Sequence, residues 1–120
     1  MKKNFEITLL LDFYGAMLTD KQREVIELYY CDDLSLSEIA QNLGITRQGV
    51  RDAIKRGENV LLDTEERLRL LERFKAVNGQ VETIERLSAQ ILGYCSKMVY
   101  SDEIYMRAQK INDLAKQLND

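Results

Sequence analysis

Apolar residues recur at helical spacing along almost the whole chain, with polar residues filling the positions between them. Over residues 5–18, Ile7, Leu10, Leu11, Tyr14 and Leu18 share one helix face. Thr19-Asp20-Lys21-Gln22 then reads as a capping box, in which the Thr19 hydroxyl accepts the Gln22 amide and the Gln22 side chain reaches back. The second helix it opens carries Val25, Ile26, Leu28 and Tyr29 and ends near Cys31 to Asp33, where two carboxylates oppose the negative end of a helix. Ser35-Leu36-Ser37-Glu38 is a second capping box, opening a short helix through Ile39, Ala40 and Leu43 that stops at Gly44, the residue suited to a left-handed helix end.

Thr46 caps a fourth helix bearing Arg47, Gln48, Val50, Arg51, Asp52, Ile54 and Lys55. Gly57 costs it about 1 kcal/mol relative to alanine, yet Leu61, Leu68 and Leu71 keep the apolar phase and predict one long helix up to Asn78-Gly79. Beyond that joint the stripe resumes as Val81, Ile84, Leu87, Ile91 and Leu92, breaks at Gly93 or at Ser101-Asp102, and returns as Ile104, Ala108, Ile111, Leu114 and Leu118. The expected organisation is a helix-turn-helix domain over 1–78, with the motif at 36–55, and a C-terminal helical extension over 79–120. That extension either packs on the core or forms a dimer seam.

Composition agrees with an all-α class, since 120 residues contain no proline and six glycines. A hydrophobic share of 45% with 31% charged residues is that of a folded, water-exposed domain. No stretch approaches the ~18 consecutive apolar residues of a membrane span, and mixed charges on the polar faces argue against membrane association. Met1-Lys2-Lys3-Asn4 resembles the start of a signal peptide, but Glu6 and Asp12 interrupt the apolar run behind it, so the start reads as mature. Cys31 and Cys95 stand far apart in helical patterns, outside any Cys-x-x-Cys arrangement, and are expected to be reduced thiols packed like small apolar side chains. The absence of histidine removes the commonest general base and metal ligand. The chemistry expected is therefore binding without catalysis, with no metal and no cofactor.

Residues 36–55 meet the packing demands of a helix-turn-helix. Ile39 and Leu43 are apolar on the first helix, Ala40 is small at the crossing, Gly44 permits the turn, and Ile45, Val50 and Ala53 close the core. Thr46, Arg47, Gln48, Arg51, Asp52 and Lys55 are then left to point outward. Arginine pairs with guanine and glutamine with adenine in the major groove, while Lys55 and Arg56 suit phosphates. The helix start at Thr46 also suits a phosphate. The candidate nucleic-acid-binding set is thus Thr46, Arg47, Gln48, Arg51, Lys55 and Arg56. Whole-chain charge pulls the other way, because 17 basic against 20 acidic residues leave −3, and binding then requires a localised patch or several copies. The motif reads either as a nucleic-acid reader or as a protein-interaction scaffold.

Taken together, Leu18-Thr19-Asp20-Lys21-Gln22-Arg23, the run from Leu28 to Ala40, and Gly44-Ile45-Thr46-Arg47-Gln48-Gly49-Val50 resemble sigma-factor region 4. Leu11-Asp12-Phe13-Tyr14 ahead of that run, and Asp52-Ala53-Ile54-Lys55-Arg56 after it, make the first 75 or so residues most similar to the YlxM family of helix-turn-helix proteins associated with the signal recognition particle. The resemblance implies a three- to four-helix core with a long recognition helix, in a bacterial cytoplasmic regulatory protein. The partners it implies are DNA, or the small RNA of the signal recognition particle, and the particle's GTPase components. A homodimer is expected from the long C-terminal helices. The alternatives are a transcriptional regulator unrelated to the particle and an adaptor that binds proteins only. The family usually carries alanine at the position of Gly49 and often tyrosine at that of Arg51, so the recognition helix here is more basic.

Overall fold

A computed structural model describes residues 2–97 and 102–119, and these residues form six α-helices with no strand among them. The chain divides into two compact units, Met1–Leu71 and Glu72–Asp120.

In the first unit, α1 (Glu6–Tyr14) runs into a 3-10 turn (Gly15–Met17), and α2 (Asp20–Ile26) is prolonged by a π-helical turn (Glu27–Cys31). α3 (Leu36–Leu43) and α4 (Arg47–Leu68) follow. Both capping boxes form as the sequence predicts. The Thr19 and Ser35 hydroxyls accept the Gln22 and Glu38 amides at 3.2 and 3.1 Å, and the Gln22 and Glu38 side chains accept the cap amides at 3.1 Å each. The core joins Ile7, Leu10, Leu11 and Tyr14 of α1 with Val25, Ile26, Tyr29 and Tyr30, then with Ile39 and Ala40 of α3 and Val50, Ile54 and Leu61 of α4. Eight of these, Ile7, Leu10, Val25, Ile26, Ile39, Val50, Ile54 and Leu61, are fully buried. Each contributes about 1.5–3 kcal/mol relative to exposure.

The amino-terminal segment is tied to the loop before α3. Lys3 Nζ lies 2.7 Å from Asp33 Oδ1, donates to the Tyr29 carbonyl at 3.0 Å and sits 4.4 Å from the Tyr29 ring centre. Asp33 itself takes the left-handed conformation (φ 57°) that ends the π turn, one that aspartate tolerates better than most residues.

The long helix expected up to Asn78-Gly79 is interrupted earlier. α4 ends at Leu68, Arg69 turns left-handed at φ 54°, and α5 (Leu70–Lys97) continues straight through 78–79 and Gly93. The cause is a tertiary cap. The Tyr14 hydroxyl accepts the Leu70 amide at 3.1 Å, Glu65 Oε1 accepts the Leu71 amide at 3.0 Å, and Tyr14 donates to that same Glu65 oxygen at 2.7 Å. Leu71 is thereby drawn into the core while Leu68, expected on the buried stripe, stays 55% exposed.

The second unit comprises most of α5 and α6 (Asp102–Asn119). The break expected near Ser101-Asp102 falls partly outside the described residues, and α6 starts at Asp102. Asn112 Nδ2 donates to the Glu85 carbonyl and to Ser88 Oγ, both at 3.0 Å. Residues 98–101 alone cannot carry the chain back along a helix of this length, so the two helices run antiparallel. The buried residues of this unit, among those described, are Val81, Ser88, Cys95, Ala108, Asn112 and Ala115. Ile84, Ile91, Ile111 and Leu118, expected on the same stripes as Val81 and Ala108, are exposed instead.

Candidate nucleic-acid interface

The turn between α3 and α4 is built by Gly44, which takes φ 66°, ψ 34°, the left-handed geometry glycine adopts without a Cβ penalty. The Ile45 amide donates back to the Ala40 carbonyl at 3.1 Å, which closes the end of α3. Thr46 then caps α4 by accepting the Gly49 amide at 2.9 Å. Buried Ile39, Ala40, Val50 and Ile54, with half-buried Leu43, Ile45 and Ala53, form the crossing the sequence predicts.

That crossing leaves Thr46, Arg47, Gln48, Asp52, Lys55 and Arg56 exposed on α4. Gln48 Nε2 donates to Asp52 Oδ1 at 3.0 Å, so the only acidic residue in this stretch is already engaged by a neighbouring amide. Arg47, Lys55 and Arg56 make no hydrogen bond or ion pair with any described side chain. Arg51 departs from the expected outward set. It is half-buried, and its Nε is enclosed without a hydrogen-bond partner, so it belongs partly to the packing of α4.

The electrostatics of the helix start are also distinctive. The first turns of α2 and α3 contain Asp20 and Glu38, whereas that of α4 contains no acidic residue. The partial positive charge of its free amides is therefore left for an external anion. Two shallow clefts flank these turns. One, of about 390 Å³, is lined by Lys21, Gln22, Asp52 and Arg56 among others, and the second, of about 380 Å³, by Ser37, Gln41 and Arg47. Lys21, Ser37 and Gln41 were not among the sequence candidates. In the sequence Lys21 belongs to the capping box and to the run over residues 18–23 of the family resemblance, and its place in one cleft with Arg56 depends on how α2 crosses α4. The acidic pair just before the motif is partly neutralised, since the Lys3 ammonium, through its hydrogen bond and charge, holds the Asp33 carboxyl below its usual range.

Among the described residues no three His, Cys, Asp or Glu side chains gather as a metal-ligand set, and no helix is long and apolar enough to cross a membrane. Cys31 is exposed and not packed as expected, while Cys95 is buried.

Residues 1–98 match the family described as "Putative helix-turn-helix protein, YlxM / p13 like", UPF0122. A UPF0122 protein of Thermoanaerobacter sp. (strain X514) is 50% identical over 80 residues, covering 67% of this chain and 68% of that one. One from Caldanaerobacter subterraneus subsp. tengcongensis is 52% identical over 79 residues, 66% and 68% of the two chains. One from Limosilactobacillus reuteri is 46% identical over 86 residues, 72% and 76% of the two chains. The match to this family reaches from α1 through the motif into α5 and agrees with the left-handed Gly44 turn seen here, and the chain belongs to UPF0122, the YlxM / p13-like helix-turn-helix family.

Proposed function

We propose that this protein is a regulatory nucleic-acid-binding protein that reads its target with the amino-terminal turns of α4 and acts by binding, without catalysis. The observation that carries this reading is that Arg47, Lys55 and Arg56 stand exposed and unpaired on those turns, beside a helix start with no acid in it. Thr46, Arg47 and Gln48 come first in the reading helix, where a helix-turn-helix meets base edges. Lys55, Arg56 and Lys21 supply the positive charge proposed to neutralise phosphates. Arg51 is the member of the set that packing restrains, so its share in contact is smaller. A net charge of −3 weakens a single copy, and the reading therefore includes a homodimer that presents two such surfaces.

The kinship with YlxM directs the choice of probes, namely duplex DNA, the small RNA of the signal recognition particle and the particle's GTPase components. Fluorescence anisotropy with each nucleic acid, between about 50 and 200 mM salt, reads the electrostatic share of binding. Arg47→Ala should weaken binding about 5- to 100-fold, as for loss of a base contact, and Lys55→Ala should lower the salt slope by about 1. Binding that is indifferent to salt and to both substitutions would refute the reading. Retention of the GTPases with no nucleic-acid binding would make the protein an adaptor, and duplex DNA bound without the RNA would make it a transcriptional regulator.

A further inference from the structure

The second unit is built in reverse of an ordinary helical hairpin: small residues lie inside it and large ones outside. Its seam holds Val81, Ser88 and Cys95 at seven-residue intervals on α5 against Ala108, Asn112 and Ala115 on α6. Meanwhile Ile84, Leu87 and Ile91 on α5 and Ile111, Leu114 and Leu118 on α6 are 40–73% exposed. These two sets follow the alternating three- and four-residue steps of a coiled-coil seam. At 100° per residue each stripe lies roughly 80° from its own seam, in the same rotational sense on both helices. Because the helices are antiparallel, equal displacement brings both stripes to the same side of the hairpin. The result is one continuous apolar face.

We propose that this face is a self-association surface on which the hairpin of a second copy of this chain seats, forming a four-helix bundle. Three observations favour a second copy. First, the seam buries so little apolar area that a unit of this size needs further cover, and small folds commonly find it by oligomerising. Second, with Val77 and Tyr94 at its ends, the face lines up eight large apolar side chains, each 40–73% exposed, on one side of a two-helix unit. Monomers rarely leave a contiguous apolar patch of that extent uncovered, and such patches form the buried centre of homodimer interfaces. Third, residues 72–120 carry seven basic and seven acidic side chains, so two copies meet without net repulsion, whereas the whole −3 of the chain resides in residues 1–71. The buried Asn112 on Ser88 holds the register of each hairpin, so the stripes of both copies stay aligned. This assignment deepens the homodimer included above but needs no nucleic acid, so the two readings fail separately.

Sedimentation equilibrium of the full chain without nucleic acid tests it. The expected result is a species of twice 14.0 kDa at micromolar concentration. Leu87→Ala and Leu114→Ala, both helix-compatible, should each raise the dissociation constant about 30-fold or more, the effect of losing an interface anchor. Leu62→Ala, which removes a 40% exposed leucine of the first unit, should leave it unchanged. If a stripe variant fails to fold, the wild-type melting midpoint remains informative, since it should rise with protein concentration in a dimer. A 14.0 kDa species at all concentrations with a concentration-independent midpoint would overturn the proposal, and so would a dimer indifferent to both stripe substitutions.

Discussion

Replacing Gly57 by alanine probes the crossing of α2 and α4, on which the reading helix is mounted. In an unpacked helix the change would gain about 1 kcal/mol of helix propensity. Gly57, however, lies buried, and a Cβ there would overlap the Cδ1 atom of Ile26, with Ile26 Cγ1 at 3.4 Å and Gln22 Cβ at 3.6 Å. Ile26 is itself fully buried, so turning Cδ1 aside drives it into other packed side chains. Overpacking of this kind costs about 1–3 kcal/mol, and a direct overlap belongs at the upper end. The net expectation for Gly57→Ala is a loss of about 1–2 kcal/mol, or roughly 4–8 °C of melting midpoint per kcal/mol in a unit of this size. Ile26→Val deletes the obstructing atom and alone costs about 0.5–1.5 kcal/mol. In the double variant the alanine methyl occupies the space that Cδ1 leaves, and the propensity gain survives. Its stability should fall within about 0.5 kcal/mol of wild type, a coupling of about 2 kcal/mol. Urea unfolding followed by circular dichroism at one fixed protein concentration measures all four corners of the cycle. Strictly additive losses, or a Gly57→Ala variant more stable than wild type, would refute the close approach.

The remaining predictions concern three further side chains of the first unit. Tyr30 donates to Glu58 from a site where burial, followed by that hydrogen bond, raises the phenol from 10.0 to about 12. A raised folded value means that the stabilisation is intact below pH 10.0 and lost as pH climbs toward 12. Wild type should therefore weaken across that window in alkaline denaturation, and Tyr30→Phe should weaken less steeply. A parallel decline in both proteins would contradict the assignment. Glu65→Ala removes the acceptor of the buried Leu71 amide, and stranding that donor should cost about 1–3 kcal/mol by urea unfolding. An unchanged midpoint would mean that the start of α5 is capped otherwise. Partial burial of the Cys31 thiol, aided by the carboxylates of Glu27, Asp32 and Asp12, raises its pKa, so little thiolate is present at neutral pH. Despite its exposure it should react more slowly with a disulfide reagent than a free cysteine does, and a rate equal to the free thiol's would count against that.

How much of this was legible in advance depended on whether a feature is local. The capping boxes at Thr19 and Ser35, the left-handed Gly44 and the Thr46 cap each involve residues within a few positions of one another, and all form as the residue types dictate. The buried set of the helix-turn-helix follows for the same reason, because a short amphipathic helix offers only one apolar face to bury. The outward placement of Arg47, Gln48, Lys55 and Arg56 then came as the complement of that buried face. Arg51 escaped this logic, since its partial burial depends on how deeply α4 sinks into its neighbours.

Amphipathic periodicity and local capping chemistry, both written in neighbouring residues, determined an all-α chain, its helix-turn-helix and, Arg51 apart, the residues that α4 exposes. Tertiary structure decided where the long helix breaks, because the Leu70 amide is capped by Tyr14 from α1, which also holds the Glu65 carboxylate that caps Leu71. It also decided that Gly57 is a point of contact and not merely a weak helix former. Helical periodicity marks several apolar stripes on α5 and α6 but does not rank them. Only the packing of the two helices, with mostly small side chains buried between them, selected which stripe is covered and which remains exposed.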